Sequence, residues 1–171
     1  MDIDRFKNLV MPLRNKLMNV SQKLLENRAD AEDVVQDAFL KLWRIRSQLD
    51  GYRSVEALAV TVARRLSLDM LRQRRNTEYA GEELTIASEL HTPDNSLAER
   101  DAVNCIRRLI EQLPPLQQTI IRMKDIEGYE VAEIAEITGT LPDAVRANLS
   151  RARKRVREQY LLLNKERYEQ G

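Results

Sequence analysis

Apolar residues recur at helical spacing along most of the chain. Ile3, Phe6, Leu9, Val10, Leu13, Leu17, Val20 and Leu24 predict one amphipathic element, which Pro12 must either kink or split in two. Asp30 reads as the N-cap of the next helix, with Glu32 and Asp33 in its first turn, where the helix dipole favours acids. Val34, Val35, Ala38, Phe39, Leu42 and Trp43 form its apolar stripe. After the Asp50-Gly51 turn, Ser54 caps a third helix that carries Val55, Leu58, Val62, Leu66 and Met70. That helix ends in the basic block Arg72, Arg74 and Arg75. Residues 77–96 lack both periodicity and any Lys or Arg, hold five acids, and read as a linker. Thr92-Pro93, or Ser96 with Glu99 at capping-box spacing, starts the next helix, which runs to Pro114-Pro115. Three more are expected at about 116–128, 130–138 and 142–160. The pattern predicts an all-α protein of two small helical domains, residues 1–76 and 97–171, joined by a flexible acidic linker over 77–96.

Composition narrows the function classes. Five Gly and five Pro in 171 residues are few for a turn-rich β fold. No apolar run approaches the roughly 18 residues of a bilayer span, and the acidic start is unlike a signal peptide. A soluble, cytoplasmic protein without membrane insertion is expected. Cys105 is the one cysteine and His91 the one histidine, which excludes a disulfide framework or a Cys-rich zinc site. Little is left for nucleophilic or metal catalysis, so the expectation is no enzyme, no metal and no cofactor.

The net charge of +1 conceals a segregation along the chain. Residues 64–75 carry five bases and one acid, 76–143 carry five bases and 14 acids, and 144–157 carry six bases and no acid. The two basic blocks are candidate phosphate contacts, with solvated helix faces as the alternative.

The strongest local signal lies in residues 131–150, VAEIAEITGTLPDAVRANLS. A helix-turn-helix needs a small residue where its helices cross, a Gly in the turn and a β-branched anchor on the second helix. Ala135, Gly139 and Val145 meet these needs, and Pro142 suits the first turn of the second helix. Val145, Leu149, Ala152 and Val156 form its expected buried stripe, while Arg146, Ser150, Arg153 and Arg157 lie on another face with Ala147, Arg151 and Lys154 beside it. Arg in the first turns of such a helix can bond guanine edges or phosphates in a major groove. A second signal is AEDVVQDAFLKL at 31–42, whose polar face carries Asp33, Gln36, Asp37 and Lys41. Its residues alone fit a solvated face and a partner-docking face equally.

AEDVVQDAF, then VARRLSLDMLRQRRN at 62–76, LPPLQQTIIRMKDIEGYEVAEIAEITG at 113–139 and AVRANLSRARKRVRE at 144–158 occur in that order. Together they resemble the extracytoplasmic-function (group IV) sigma factors of bacterial RNA polymerase, over nearly the whole chain. The resemblance implies sigma region two in residues 1–76 and sigma region four, with its helix-turn-helix, in 97–171. It implies binding to core RNA polymerase at the β′ clamp and the β flap, to promoter DNA, and to an anti-sigma factor. Asp33, Gln36, Asp37 and Leu40 match the family's clamp-docking helix. The segment from about Asp50 to Ser54 and the helix after it match the part that opens and reads the −10 element, with Arg64, Arg65, Arg72, Arg74 and Arg75 as contacts. Arg146, Ala147, Ser150, Arg151 and Lys154 match the face that reads the −35 element, and Val145 and Leu149 match anchors.

Two segments depart from the family pattern. Leu58-Ala59 and then Val62-Ala63-Arg64-Arg65 stand where Trp-Leu and Ile-Ala-Arg-Asn are common. Asp143-Ala144 stands where Gly-Thr usually opens the recognition helix, and an acid there discourages a nearby phosphate. The competing reading is a helix-turn-helix regulator that does not dock on core polymerase. The AEDVVQDAF helix separates the two, because such a regulator needs no clamp-docking face.

Overall fold

The computed structural model describes residues 1–83 and 97–170, with side chains described for 1–78 and 97–170. The described residues are helical, with no strand among them, and form two compact units. The linker from residue 84 onward, and with it the helix starts expected at Thr92-Pro93 and Ser96, lies outside the described residues.

The first unit holds α1 (Ile3–Leu9), α2 (Arg14–Leu25), α3 (Arg28–Arg44) and α4 (Val55–Glu83). Pro12 splits the first element rather than kinking it, and a single 3₁₀ turn, Met11–Leu13, joins the halves. α2 ends on Glu26 in the left-handed region (φ 54°), so the chain turns sharply into α3. The α3 N-cap is Asn27, whose side chain accepts from the Asp30 N–H at 3.1 Å. This corrects the expected cap: the helix starts at Arg28, two residues before Asp30, and Asp30 lies in its first turn. Ser54 does cap α4, its Oγ accepting from the Ala57 N–H at 3.1 Å.

α4 also runs further than expected. It continues through Glu83, so the first seven residues assigned to the linker, 77–83, are helical. No Gly or Pro precedes Gly81 in this helix, so nothing in the sequence stops it at the basic block. α2, α3 and α4 pack together around Leu17, Leu25, Val34, Ala38, Leu42, Leu58 and Val62, all at most 3% exposed. Phe6 of α1 closes on Trp43 edge-to-face, with ring centroids 5.0 Å apart.

The second unit is built on α5 (Leu97–Glu111), α6 (Pro115–Ile121) and α8 (Pro142–Glu169) with the start of α7 (Val131–Thr138), whose end, from Glu136, groups with the first unit. Pro115 opens α6, and the Gln118 amide donates to the carbonyls of Glu111 and Leu113 at 2.6 and 2.9 Å, closing the end of α5. The helix expected over 116–128 is α6 followed by a π-helical turn at Arg122–Ile126, in which the Glu127 N–H donates to the Arg122 carbonyl at 2.9 Å. Leu109, Ile110, Ile120, Ile121, Val145, Leu149 and Ala152 are buried in this unit.

Candidate functional site

Three helix faces carry the residues singled out from the sequence. On α3, with about 100° of rotation per residue, Asp33, Gln36, Asp37 and Leu40 fall within roughly one quadrant. Ala31, Val34, Val35, Ala38 and Leu42 lie opposite and are buried, which fixes the rotation of the helix and leaves all four of the others exposed. Leu40 is 54% exposed amid this polar face. An exposed leucine flanked by carboxylates offers a partner both apolar area and charge. Behind this face, Arg46 stacks its guanidinium 4.2 Å from the Trp43 ring centroid and donates to the Trp43 carbonyl at 2.9 Å.

The second face is on α4 and just before it. Asp50 sits in a 3₁₀ turn, where it accepts from the Met1 amino group at 2.7 Å and pairs with Arg5 at 3.0 Å. The amino-group hydrogen bond, with help from Arg5, holds its carboxyl below the ordinary value. Along α4, Arg64, Arg65, Arg72 and Arg75 fall within roughly 100° of arc. Arg64, Arg72 and Arg75 are exposed and Arg65 is half-buried. Arg72 lies 3.7 Å from Asp69.

Arg74 does not join them. It lies on the core side of the helix, close to the direction of Ala63 and Ser67, both buried. There it forms an ion pair with Asp30 and donates to the Leu25 carbonyl at 3.3 Å. One guanidinium thus ties the end of α2 and the start of α3 to α4. The basic block hid this, because runs of charge conceal angular position. Periodicity counted from Ala63 and Ser67 would have revealed it.

The third face is on α8. Gly139 has φ +66°, a left-handed conformation that glycine adopts without strain, and the Thr140 N–H donates to the Ala135 carbonyl at 3.1 Å. Ala135 and Val145 are buried and Pro142 is the first residue of α8, as the helix-turn-helix reading requires of them. Val145, Leu149 and Ala152 are buried as expected, and Val156 is half-buried. On the opposite side Arg146, Ala147, Ser150, Arg151 and Lys154 share an arc of roughly 140°. All are exposed except Ala147, which is half-buried. Arg146 bonds Asp143 at 2.9 Å, and Lys154 lies 4.0 Å from Glu158.

Arg153, which lies roughly 20° around the helix from Arg146, is taken up by the fold. It grips Asp125 of the π turn with two hydrogen bonds of 2.9 and 2.5 Å. This bidentate bond lowers the Asp125 carboxyl and raises the Arg153 guanidinium relative to their ordinary values. Neither partner is signalled by local sequence, since 28 residues separate them.

A short helix, a glycine turn and a long basic helix, in a chain with a second helical unit, suit a DNA-binding protein. The family model described as Sigma-70 region 2 matches residues 9–77, and that described as Sigma-70, region 4 matches 103–156. The chain belongs to the sigma-70 family and is an RNA polymerase sigma factor of the extracytoplasmic-function type.

It is similar to the ECF RNA polymerase sigma factor SigW of Bacillus subtilis, with 27% identity over 168 residues, covering 92% of this chain and 90% of that one. It is 35% identical over 159 residues to the ECF RNA polymerase sigma factor SigJ of Mycobacterium tuberculosis, covering 89% of this chain but only 50% of that one. Among solved structures, the sigma factor RpoE in complex with the anti-sigma factor NepR from Bartonella quintana aligns at 22% identity and a TM-score of 0.43, over 91% of this chain and 96% of that one. No described helix is long and apolar enough to cross a membrane.

Proposed function

We propose that the first unit docks on the β′ clamp of core RNA polymerase through Asp33, Gln36, Asp37 and Leu40 of α3. In this reading α4 reads and opens the −10 element through Arg64, Arg65, Arg72 and Arg75. The second unit reads the −35 element through Arg146, Ala147, Ser150, Arg151 and Lys154 of α8 and meets the β flap. Residues 77–96 connect the two functions. The protein acts in the cytoplasm as a non-enzymatic initiation factor and is restrained by an anti-sigma factor. Arg74 is left out of the −10 contacts, because it serves the fold.

The observation that carries this reading is the exposed leucine on the α3 polar face: Leu40, 54% exposed, stands beside Asp33, Gln36 and Asp37, opposite a buried apolar stripe that prevents the helix from rolling. The candidate sets of α4 and α8 likewise share one side of their helices. Run-off transcription with core polymerase and a pool of genomic promoters tests it. Defined start sites that depend on the protein are expected. Core polymerase bound without promoter selection, or promoter DNA bound without recruitment of core, would overturn it.

A further inference from the structure

The first turn of α8 contains an acid in a place where DNA-reading helices gain from its absence. Asp143 follows Pro142 at the start of the helix, and its side chain is 98% exposed. The free N–H groups and dipole of a helix N-terminus favour an anion, and a DNA phosphate is an obvious one. A carboxylate placed there repels that phosphate instead. It also has a definite partner: Asp143 Oδ1 lies 2.9 Å from Nη1 of Arg146, one turn along the same exposed side.

An exposed ion pair of this kind adds little to stability. Its consequence lies in geometry. A lone Arg on a long flexible stem meets phosphates on any sequence, which gives affinity without discrimination. Held at Nη1 by Asp143, the guanidinium loses that freedom and keeps its other N–H groups as a fork. The acceptor pair in the major groove that matches such a fork is guanine O6 and N7. Ala147 beside it is small, and Ser150 lies on the same side one turn further on. Once water leaves the groove, the Asp–Arg attraction strengthens and the orientation becomes firmer.

We infer that Asp143 is a positioning and specificity-determining residue, which turns Arg146 from the phosphates toward a single guanine in the −35 element. The inference rests on the reading of α8 as the −35 reader. Asp143 trades backbone affinity for sequence selection.

The test uses the full chain assembled with core polymerase, a promoter library randomised across the −35 element, and a non-promoter duplex. Asp143→Ala should relax preference at one base pair by about tenfold, equivalent to about 1.4 kcal/mol. Arg146→Ala should relax the same position. Affinity of Asp143→Ala for the non-promoter duplex should rise severalfold, because a negative charge has left the interface. The double variant should lose no more preference than Arg146→Ala alone, since the two residues act as one unit. Asp143→Glu should restore part of the preference. Uniform tightening of Asp143→Ala on every sequence, with an unchanged preference profile, would overturn the inference and leave Asp143 as a charge alone. Arg146→Ala without effect on any sequence would instead remove α8 as the −35 reader.

Discussion

α4 and α8 are nearly equal in length, 29 and 28 residues, and each carries a basic block, yet they use their arginines differently. In α4 the block comes late, and its core-facing member, Arg74, binds Asp30 and the Leu25 carbonyl to hold three helices together. In α8 the block begins in the second turn, at Arg146, and the arginine diverted to the fold, Arg153, binds one acid on the π turn. The remaining bases of each helix are exposed, apart from half-buried Arg65. A run of positive charge is therefore two populations: the angle around the helix sets Arg74 apart in α4, whereas Arg153 of α8 is set apart by the acid within its reach. In the proposed reading the two units divide the work, with the α3 face of exposed carboxylates and Leu40 in the first and the basic face of α8 in the second.

The largest effect should come from reversing a charge on the α3 face. Asp37→Arg is expected to weaken binding to core polymerase by about 2 kcal/mol or more, because like charges in an interface cost more than a missing contact. Binding of the second unit to −35 DNA should stay as it was. Competition for fluorescently labelled core measures the first, and a gel shift on −35 duplex the second. Equal core affinity would return this face to solvent.

Arg146→Ala should cost roughly 1–3 kcal/mol on the native promoter and relax preference at one position, with core affinity intact. A uniform loss on all sequences, with a salt slope smaller by about 1, would mean a phosphate contact instead. Either result separates α8 from α3, and loss of core affinity would merge them.

The division between folding and reading arginines is tested on α4. Arg74→Ala should lower the unfolding free energy of the first unit by about 1 kcal/mol, since Asp30 loses its cation and the Leu25 carbonyl a donor. Arg72→Ala, whose ion pair with Asp69 is 3.7 Å long on an exposed surface, should change it by less than about 0.5 kcal/mol while weakening binding to −10 DNA. Denaturant titration of the full chain reads both. Equal destabilisation by the two substitutions would abolish the distinction drawn from the helix angle.

Much of this is legible in the sequence. The stripes of α3 and α8, the Ser54 cap, the Gly139 turn, Pro142 at the start of α8 and an interruption at Pro12, though not whether it kinks or splits the helix, each follow from a rule that operates within a few residues. What was not legible depends on distant partners or on backbone choices that several sequences could make. Asp30 looked like a cap because nothing local shows that Glu26 takes a left-handed φ of 54° and hands the cap to Asn27. α4 was expected to stop at its basic block, although residues 77–83 contain only one glycine and no proline. The π turn leaves no periodic trace, and so the approach of Asp125 to Arg153 was hidden with it. The α3, α4 and α8 faces are legible as sets; Arg74 is separable from its neighbours by its angle around α4, and Arg153 only by the position of Asp125.

The smallest effect concerns that last pair and depends on pH. The bidentate bond from Arg153 lowers the Asp125 carboxyl below its ordinary value of 3.8, so the folded state prefers the ionised form more strongly than the unfolded chain does. The resulting stabilisation is fully present above the unfolded value, declines as pH falls below 3.8, and is gone once the folded carboxyl is protonated. Half of the Arg153 side chain is exposed, so solvent screening keeps the contribution small, below about 1 kcal/mol. Asp125→Asn keeps the shape and one acceptor but removes the titrating charge. Unfolding free energies of the native chain and this variant should differ by a constant amount from about pH 7 to pH 5 and converge toward pH 2.5. A difference that is flat over the whole range would assign the pair a neutral hydrogen-bonding role. The matching experiment in the first unit, Asp30→Asn, should show whether Arg74 and Arg153 hold their helices by charge in the same way.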